Sequence, residues 1–202
     1  MTSPLIAVGS QPPRRGHGLL PWLGVLILKL SRWRISGELP DIPQAVVIAA
    51  PHTSNWDGLF GLAAIQALRL RISVLGKHSL FVGPLGWFLR YLGVIPVDRS
   101  SHHGMVTEII DHFRRTPALF LAVAPEGTRH AAERWKTGFY QIAREAEVPI
   151  LMVGFDYARR EIRIIGTLMP GDNQEADMQR IYAAYQNITP CNPERLSHPL
   201  KP

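Results

Sequence analysis

Short apolar runs rich in β-branched residues alternate along this chain with longer stretches of helical spacing, and few folds accept that pattern. Ala45-Val46-Val47-Ile48-Ala49-Ala50 is such a run and ends at Pro51. Ile72 to Gly76, Val94 to Val97, Ala118 to Ala124, Pro149 to Phe155 and Ile162 to Ile165 read as further strands, with a short one at Trp33 to Gly37. Between them, Gly58 to Leu70 carries Leu59, Leu62, Ala63, Ile65 and Leu70 mostly at helical spacing. His103 to Arg115, Thr137 to Glu147 and Ala176 to Ile188 read as helices too, and Pro84 to Leu92 as a short one. Strands separated by helices imply an α/β domain with a mostly parallel central sheet flanked by helices. At 202 residues the chain is long enough for one such domain with a sizeable core.

Polar residues able to do chemistry gather at the ends of these strands, where open α/β sheets expose their sites. After the run at 45–50 comes Pro51-His52-Thr53-Ser54-Asn55-Trp56-Asp57, with an imidazole and a carboxylate five positions apart. A tight turn there folds the carboxylate onto one ring nitrogen and leaves the other free as a base. The plain alternative makes Asp57 a helix N-cap and His52 a structural turn residue. After the run at 118–124 comes Pro125-Glu126-Gly127-Thr128-Arg129. Glycine permits close backbone approach to a ligand, threonine offers a hydroxyl, and arginine presents a planar fork suited to phosphate. Its plain alternative is a polar turn with a Glu126–Arg129 surface ion pair. Arg99, Lys77 and Lys136 follow or flank other strands; singly each reads as a solvated cation, together as an anion funnel.

The order of these blocks resembles the glycerolipid acyltransferases typified by lysophosphatidate acyltransferase. That family's His-x-x-x-x-Asp matches His52 to Asp57, and its glycine-led strand ending in arginine resembles Gly93 to Arg99. Its Pro-Glu-Gly-Thr-Arg stands intact at Pro125 to Arg129, Lys136-Thr137-Gly138 resembles the Lys-x-Gly that follows, and Val148-Pro149-Ile150 matches its last block. The resemblance covers about residues 45 to 170. Family members often have Asn where Pro51 stands and Glu where Ser79 stands, which leaves the acceptor headgroup open.

The resemblance implies transfer of a fatty acyl chain from an acyl-CoA or acyl-carrier-protein thioester to a lysophospholipid-like hydroxyl. His52 is then the general base and Asp57 its orienting partner, with no covalent acyl-enzyme. Glu126, Gly127, Thr128 and Arg129 would hold the anionic head, with Arg99, Lys77 and Lys136 adding charge. A hydrolase that activates water with His52 is one alternative, and a non-catalytic lipid-binding membrane protein another. No histidine pair has the i, i+4 spacing of a helical zinc motif, so no metal is expected and no cofactor beyond the donor.

The net charge of +6 is uneven: Arg14, Arg15, Lys29, Arg32 and Arg34 all precede the first acidic residue, Glu38. Arg14 and Arg15 precede and Arg32 and Arg34 follow Leu19 to Leu30, a largely apolar stretch containing Trp22 and Lys29 that is too short for an ordinary transmembrane helix. Lys29, Arg32 and Arg34 occupy the place of a signal-peptide cleavage site, against secretion. Tryptophan, leucine and flanking cations suit the surface of an anionic membrane, so the expectation is an N-terminal amphipathic membrane-associating helix. An ordinary core helix is the alternative. With no nucleic-acid module in sight, nucleic acid is not an expected partner. Cys191, the only cysteine, permits no internal disulfide, which fits a reducing compartment. The expected organisation is a flexible N-terminus at 1–17, a membrane-associating segment at 18–36, an acyltransferase domain at 37–188 and a flexible tail at 189–202. Together these put the chain at the cytoplasmic face of a membrane, peripheral or monotopic.

Overall fold

The computed structural model describes residues 5–16, 18–77, 81–84, 86–87, 93–97 and 102–201. In chain order the elements are α1 (Leu19–Ser31), β1 (Arg34–Ser36), β2 (Gln44–Ala50), α2 (Asn55–Ala67), β3 (Ile72–Lys77) and β4 (Val94–Val97). Then follow α3 (His102–Arg115), β5 (Leu119–Val123), α4 (Gly138–Glu145), β6 (Ile150–Asp156), β7 (Glu161–Leu168) and α5 (Gln174–Tyr185). The short helix expected over 84–92 falls largely outside the described residues.

The strands form one seven-stranded sheet in the order β1-β7-β6-β2-β5-β3-β4. Pairing is parallel except between β6 and β7. The mostly parallel α/β architecture is thus as the sequence implies. The exception follows from connection length: only Tyr157 to Arg160 separate β6 from β7, enough for a hairpin but not for a crossover.

Central β2 is apolar from Ala45 to Ala50 because both its faces are covered there. Val46, Ile48 and Ala50 join a core with Ile109 and Phe113 of α3, Phe139 and Ile142 of α4, and Ile181 and Tyr185 of α5. Ala45 and Val47 face the opposite core, with Leu28 of α1 and Phe60, Ala63 and Ala64 of α2. After β2 the chain enters α2 on one face; after the adjacent β5 it proceeds to α4 on the other. The carboxyl ends of β2 and β5 therefore border the crevice at which open α/β sheets bind ligands.

α1 lies directly on α2 because Gly24 allows it: a Cβ there would stand 2.5 Å from the Ala63 carbonyl oxygen. Leu28, Gly24 and Pro21 are buried, whereas Leu19, Leu20, Trp22, Leu23 and Leu30 are exposed. Among the described residues no helix is long and apolar enough to cross a membrane.

Both ends of the chain make specific contacts. Arg14 bridges Leu70 through its backbone, and its guanidinium donates to the Leu68, Val8 and Gly9 carbonyls. After α5, two single-turn 3-10 helices (Pro193–Arg195 and His198–Leu200) follow, with Leu200 buried and the His198 N–H on the Ala132 carbonyl at 2.8 Å.

Candidate active site

The loop between β2 and α2 is shaped by the helix it starts. Ser54 is the N-cap of α2 and Asp57 its third residue, and the two form a reciprocal capping box. Asp57 Oδ2 accepts the Thr53 and Ser54 N–H groups, each at 2.8 Å. That capping draws the His52 ring to the same oxygen, with Nδ1 3.2 Å from Oδ2. The other carboxylate oxygen, Oδ1, accepts the Tyr157 hydroxyl at 2.6 Å. Asp57 is fully buried, while the His52 side chain keeps 25% exposure. A buried carboxylate requires such partners to remain charged. With Nδ1 turned to that carboxylate, Nε2 is the ring nitrogen left to accept a proton.

Tyr157 follows β6 and packs edge-on against Trp33 at 4.8 Å between ring centroids; Trp33 in turn stacks on Phe60 at 4.2 Å. Burial, and then its bond to Asp57, push the Tyr157 hydroxyl far above the usual phenol range. It therefore stays a donor at any working pH.

The turn after β5 comes up beside this loop. Glu126 is buried, and its Oε1 accepts the His52 N–H at 3.0 Å. Burial raises the Glu126 carboxyl above the ordinary carboxylate range. Oε2 is buried with no hydrogen-bond partner among the described residues. The Glu126–Arg129 surface pair does not form; Arg129 donates instead to Asn55 Oδ1, joining the second motif to the first. Gly127 has φ +66°, a conformation that favours glycine, and the end of the Lys136 side chain lies over it, with Cε 2.7 Å from where a Cβ would stand. Lys136 is thereby beside Gly127, and the Thr128 hydroxyl accepts the His130 N–H at 3.3 Å.

Ser54, Asn55, Trp56, Arg129, His130 and Arg195 line a cleft of about 290 Å³ next to this loop. A larger cleft, about 850 Å³, lies beside β1 and β7 between Arg34, Glu161 and Arg163 and contains neither motif. Of the residues singled out from sequence, the fold brings together His52, Asp57, Glu126, Gly127, Thr128, Arg129 and Lys136. Arg99 and the side chain of Lys77 lie outside the described residues. Tyr157, Asn192 and Arg195 escaped the sequence reading. Tyr157 had a faint signal, a polar aromatic directly after a strand parallel to β2. Asn192 and Arg195 sit among prolines in a segment with no apolar period, and nothing local marks them.

A family model described as Acyltransferase matches residues 34–156. The 1-acyl-sn-glycerol-3-phosphate acyltransferase of Streptococcus pneumoniae is 26% identical over 141 residues, 65% of this chain and 52% of that protein. The Escherichia coli K12 protein of the same name is 30% identical over 114 residues, 53% of this chain and 45% of that protein. The chain thus spans about half the length of these curated relatives. The crystal structure of the 1-acyl-sn-glycerophosphate (LPA) acyltransferase from Thermotoga maritima superposes with a TM-score of 0.55 at 20% identity. It covers 81% of this chain and 73% of that one, a likeness of fold.

Proposed function

The chain belongs to the glycerolipid acyltransferase family, and from that membership we propose that it moves a fatty acyl chain from an acyl-CoA or acyl-carrier-protein thioester to the hydroxyl of a lysophospholipid-like acceptor. The observation that carries the reading is the His52 ring held through Nδ1 on a fully buried Asp57. Nε2 accepts the acceptor's hydroxyl proton as that oxygen attacks the thioester carbonyl. The new C–O bond forms, the tetrahedral intermediate collapses, and the C–S bond breaks. The departing thiolate takes the proton from the imidazolium, which returns His52 to its starting state. Asp57 stabilises that imidazolium. Glu126 supports the histidine backbone by accepting its N–H, while Gly127, Thr128, Arg129 and Lys136 face the acceptor's anionic head. The sequence offers Arg99 and Lys77 as further positive charge for it.

The enzyme works at the cytoplasmic face of an anionic membrane, as a peripheral or monotopic protein. The exposed apolar side chains of α1, with exposed Lys29 and Arg32 beside them, support this. Trp56, Leu59 and Leu62 are exposed apolar side chains of α2, which begins in the His52 loop.

Incubating the purified protein with a labelled acyl thioester and a panel of lysolipids tests the reading. Acylated lipid is the expected product, and His52→Ala is expected to cut its rate by about a thousandfold or more, the scale of losing a general base and its positioning. Release of the label only as free acid would establish a hydrolase instead. No thioester turnover, with lysolipid still bound, would indicate a binding protein.

A further inference from the structure

We propose that the C-terminal segment completes the acceptor site, with Arg195 joining Arg129 and His130 to bind a phosphate monoester head and Asn192 fastening the segment to the catalytic loop. This rests on the acyltransferase reading above but uses residues beyond the matched stretch, which ends at 156.

The fastening is specific. The Asn192 N–H donates to Thr53 Oγ1 at 3.1 Å, and its Nδ2 donates to the Thr53 carbonyl at 3.0 Å. Thr53 is almost wholly buried and adjoins His52. One turn later, Arg195 lines the cleft and makes a long 3.4 Å contact to the same carbonyl. Its Nε stands 3.7 Å from the exposed Glu194 carboxylate, a surface pair that neutralises little.

Charge in the cleft is unbalanced. Arg129 bonds a neutral amide oxygen and Arg195 a neutral backbone carbonyl. No carboxylate is among the cleft-lining residues, and His130 adds a third group able to carry positive charge. Two guanidinium forks with unspent donors, beside the Ser54 and Asn55 side chains, match the several oxygens and double charge of a phosphate monoester. A phosphate-free acceptor would use none of them.

Full-chain Arg195→Gln and Arg195→Lys test the proposal with a short-chain 1-acylglycerol 3-phosphate, the matching phosphate-free 1-acylglycerol, and an acyl-CoA donor. Arg195→Gln is expected to raise KM for the phosphate acceptor about tenfold while kcat stays within about twofold, as for loss of one charge-assisted contact. Arg195→Lys is expected to recover part of that loss, and the phosphate-free acceptor and donor KM to stay unchanged. Calorimetry with glycerol 3-phosphate is expected to show a matching loss of affinity. A fall in kcat at unchanged KM would make Arg195 a strut for the Thr53 loop and overturn the proposal. Equal affinity for inorganic phosphate and glycerol 3-phosphate would mark a free-phosphate site, and a raised KM for acyl-CoA a donor site; either overturns it. Arg195-dependent glycerol 3-phosphate binding without acyl transfer would uphold the site and overturn the acyltransferase reading.

Discussion

One carboxylate, that of Asp57, serves the helix and the histidine at once. Oδ2 closes the capping box of α2 and holds His52 Nδ1, so the force that nucleates the helix also aims the ring. Tyr157 holds the remaining oxygen. Tyr157→Phe keeps the ring packed against Trp33 and removes only that donor. We expect kcat to fall about tenfold with KM little changed, corresponding to about 1.4 kcal/mol of lost positioning. Stopped assays at saturating acceptor measure it, and an unchanged kcat would show that backbone donors alone hold Asp57. Glu126 gives a pH-dependent counterpart. Because burial raises its folded carboxyl value, ionisation costs more in the folded than in the unfolded chain. That cost is absent below the ordinary glutamate value of 4.5 and grows as pH rises through the raised folded value. Glu126→Gln never ionises and keeps a carbonyl oxygen for the His52 N–H. Its urea midpoint should therefore gain on the natural protein as pH rises across that window and level off above it. A pH-independent difference would mean that Glu126 ionises as freely folded as unfolded.

At the scale of elements, what the sequence made legible follows from what each element buries. β2 reads cleanly at 45–50 because it is covered on both faces, and β6 for the same reason. β7 runs from Glu161 to Leu168, beyond the expected Ile162 to Ile165 at both ends, and begins on a carboxylate. Glu161 is admitted because Arg34 and Ser36 satisfy its carboxylate from β1. α2 starts at Asn55, not after Asp57, because capping by Ser54 outranks apolar periodicity at the first turn. The same capping chemistry made the His52–Asp57 pair readable, since both residues lie within one loop and its helix start. Tyr157 reaches Asp57 across 100 positions, and Asn192 reaches Thr53 across 139. Such pairs depend on strand order, which no local pattern encodes. Glu126 takes the His52 N–H and not Arg129, the partner its plain surface-turn alternative assigns, because a side chain's burial is decided by the sheet around it.

For the molecule as a whole, the sheet's switch point and the α1–α2 face lie at linked positions, since α2 begins at the His52-to-Asp57 loop and packs on α1. Trp22 is 61% exposed on α1 and Trp56 57% exposed on α2, the latter within the His52-to-Asp57 loop and beside the cleft. Docking that face on a bilayer would bring the cleft to the depth of lipid headgroups, so that an acceptor need not leave the membrane. The packing side of α1, through Gly24 and Leu28, is separate from the exposed side. If that exposed side docks on a membrane, Trp22→Glu with Leu30→Glu removes the docking without touching the core. Losing the burial of two large apolar side chains is expected to weaken association with anionic vesicles by at least about tenfold. Added salt should weaken the natural protein's binding too, because Lys29 and Arg32 act through screened charge. The decisive comparison is kinetic. The double variant should lose rate on a vesicle-embedded lysolipid in proportion to its lost binding, yet match the natural protein on a monomeric short-chain acceptor. Equal losses on both acceptors would mean that these side chains support the catalytic loop and not the membrane contact. Vesicle sedimentation and the two rate assays on the same preparation separate the outcomes.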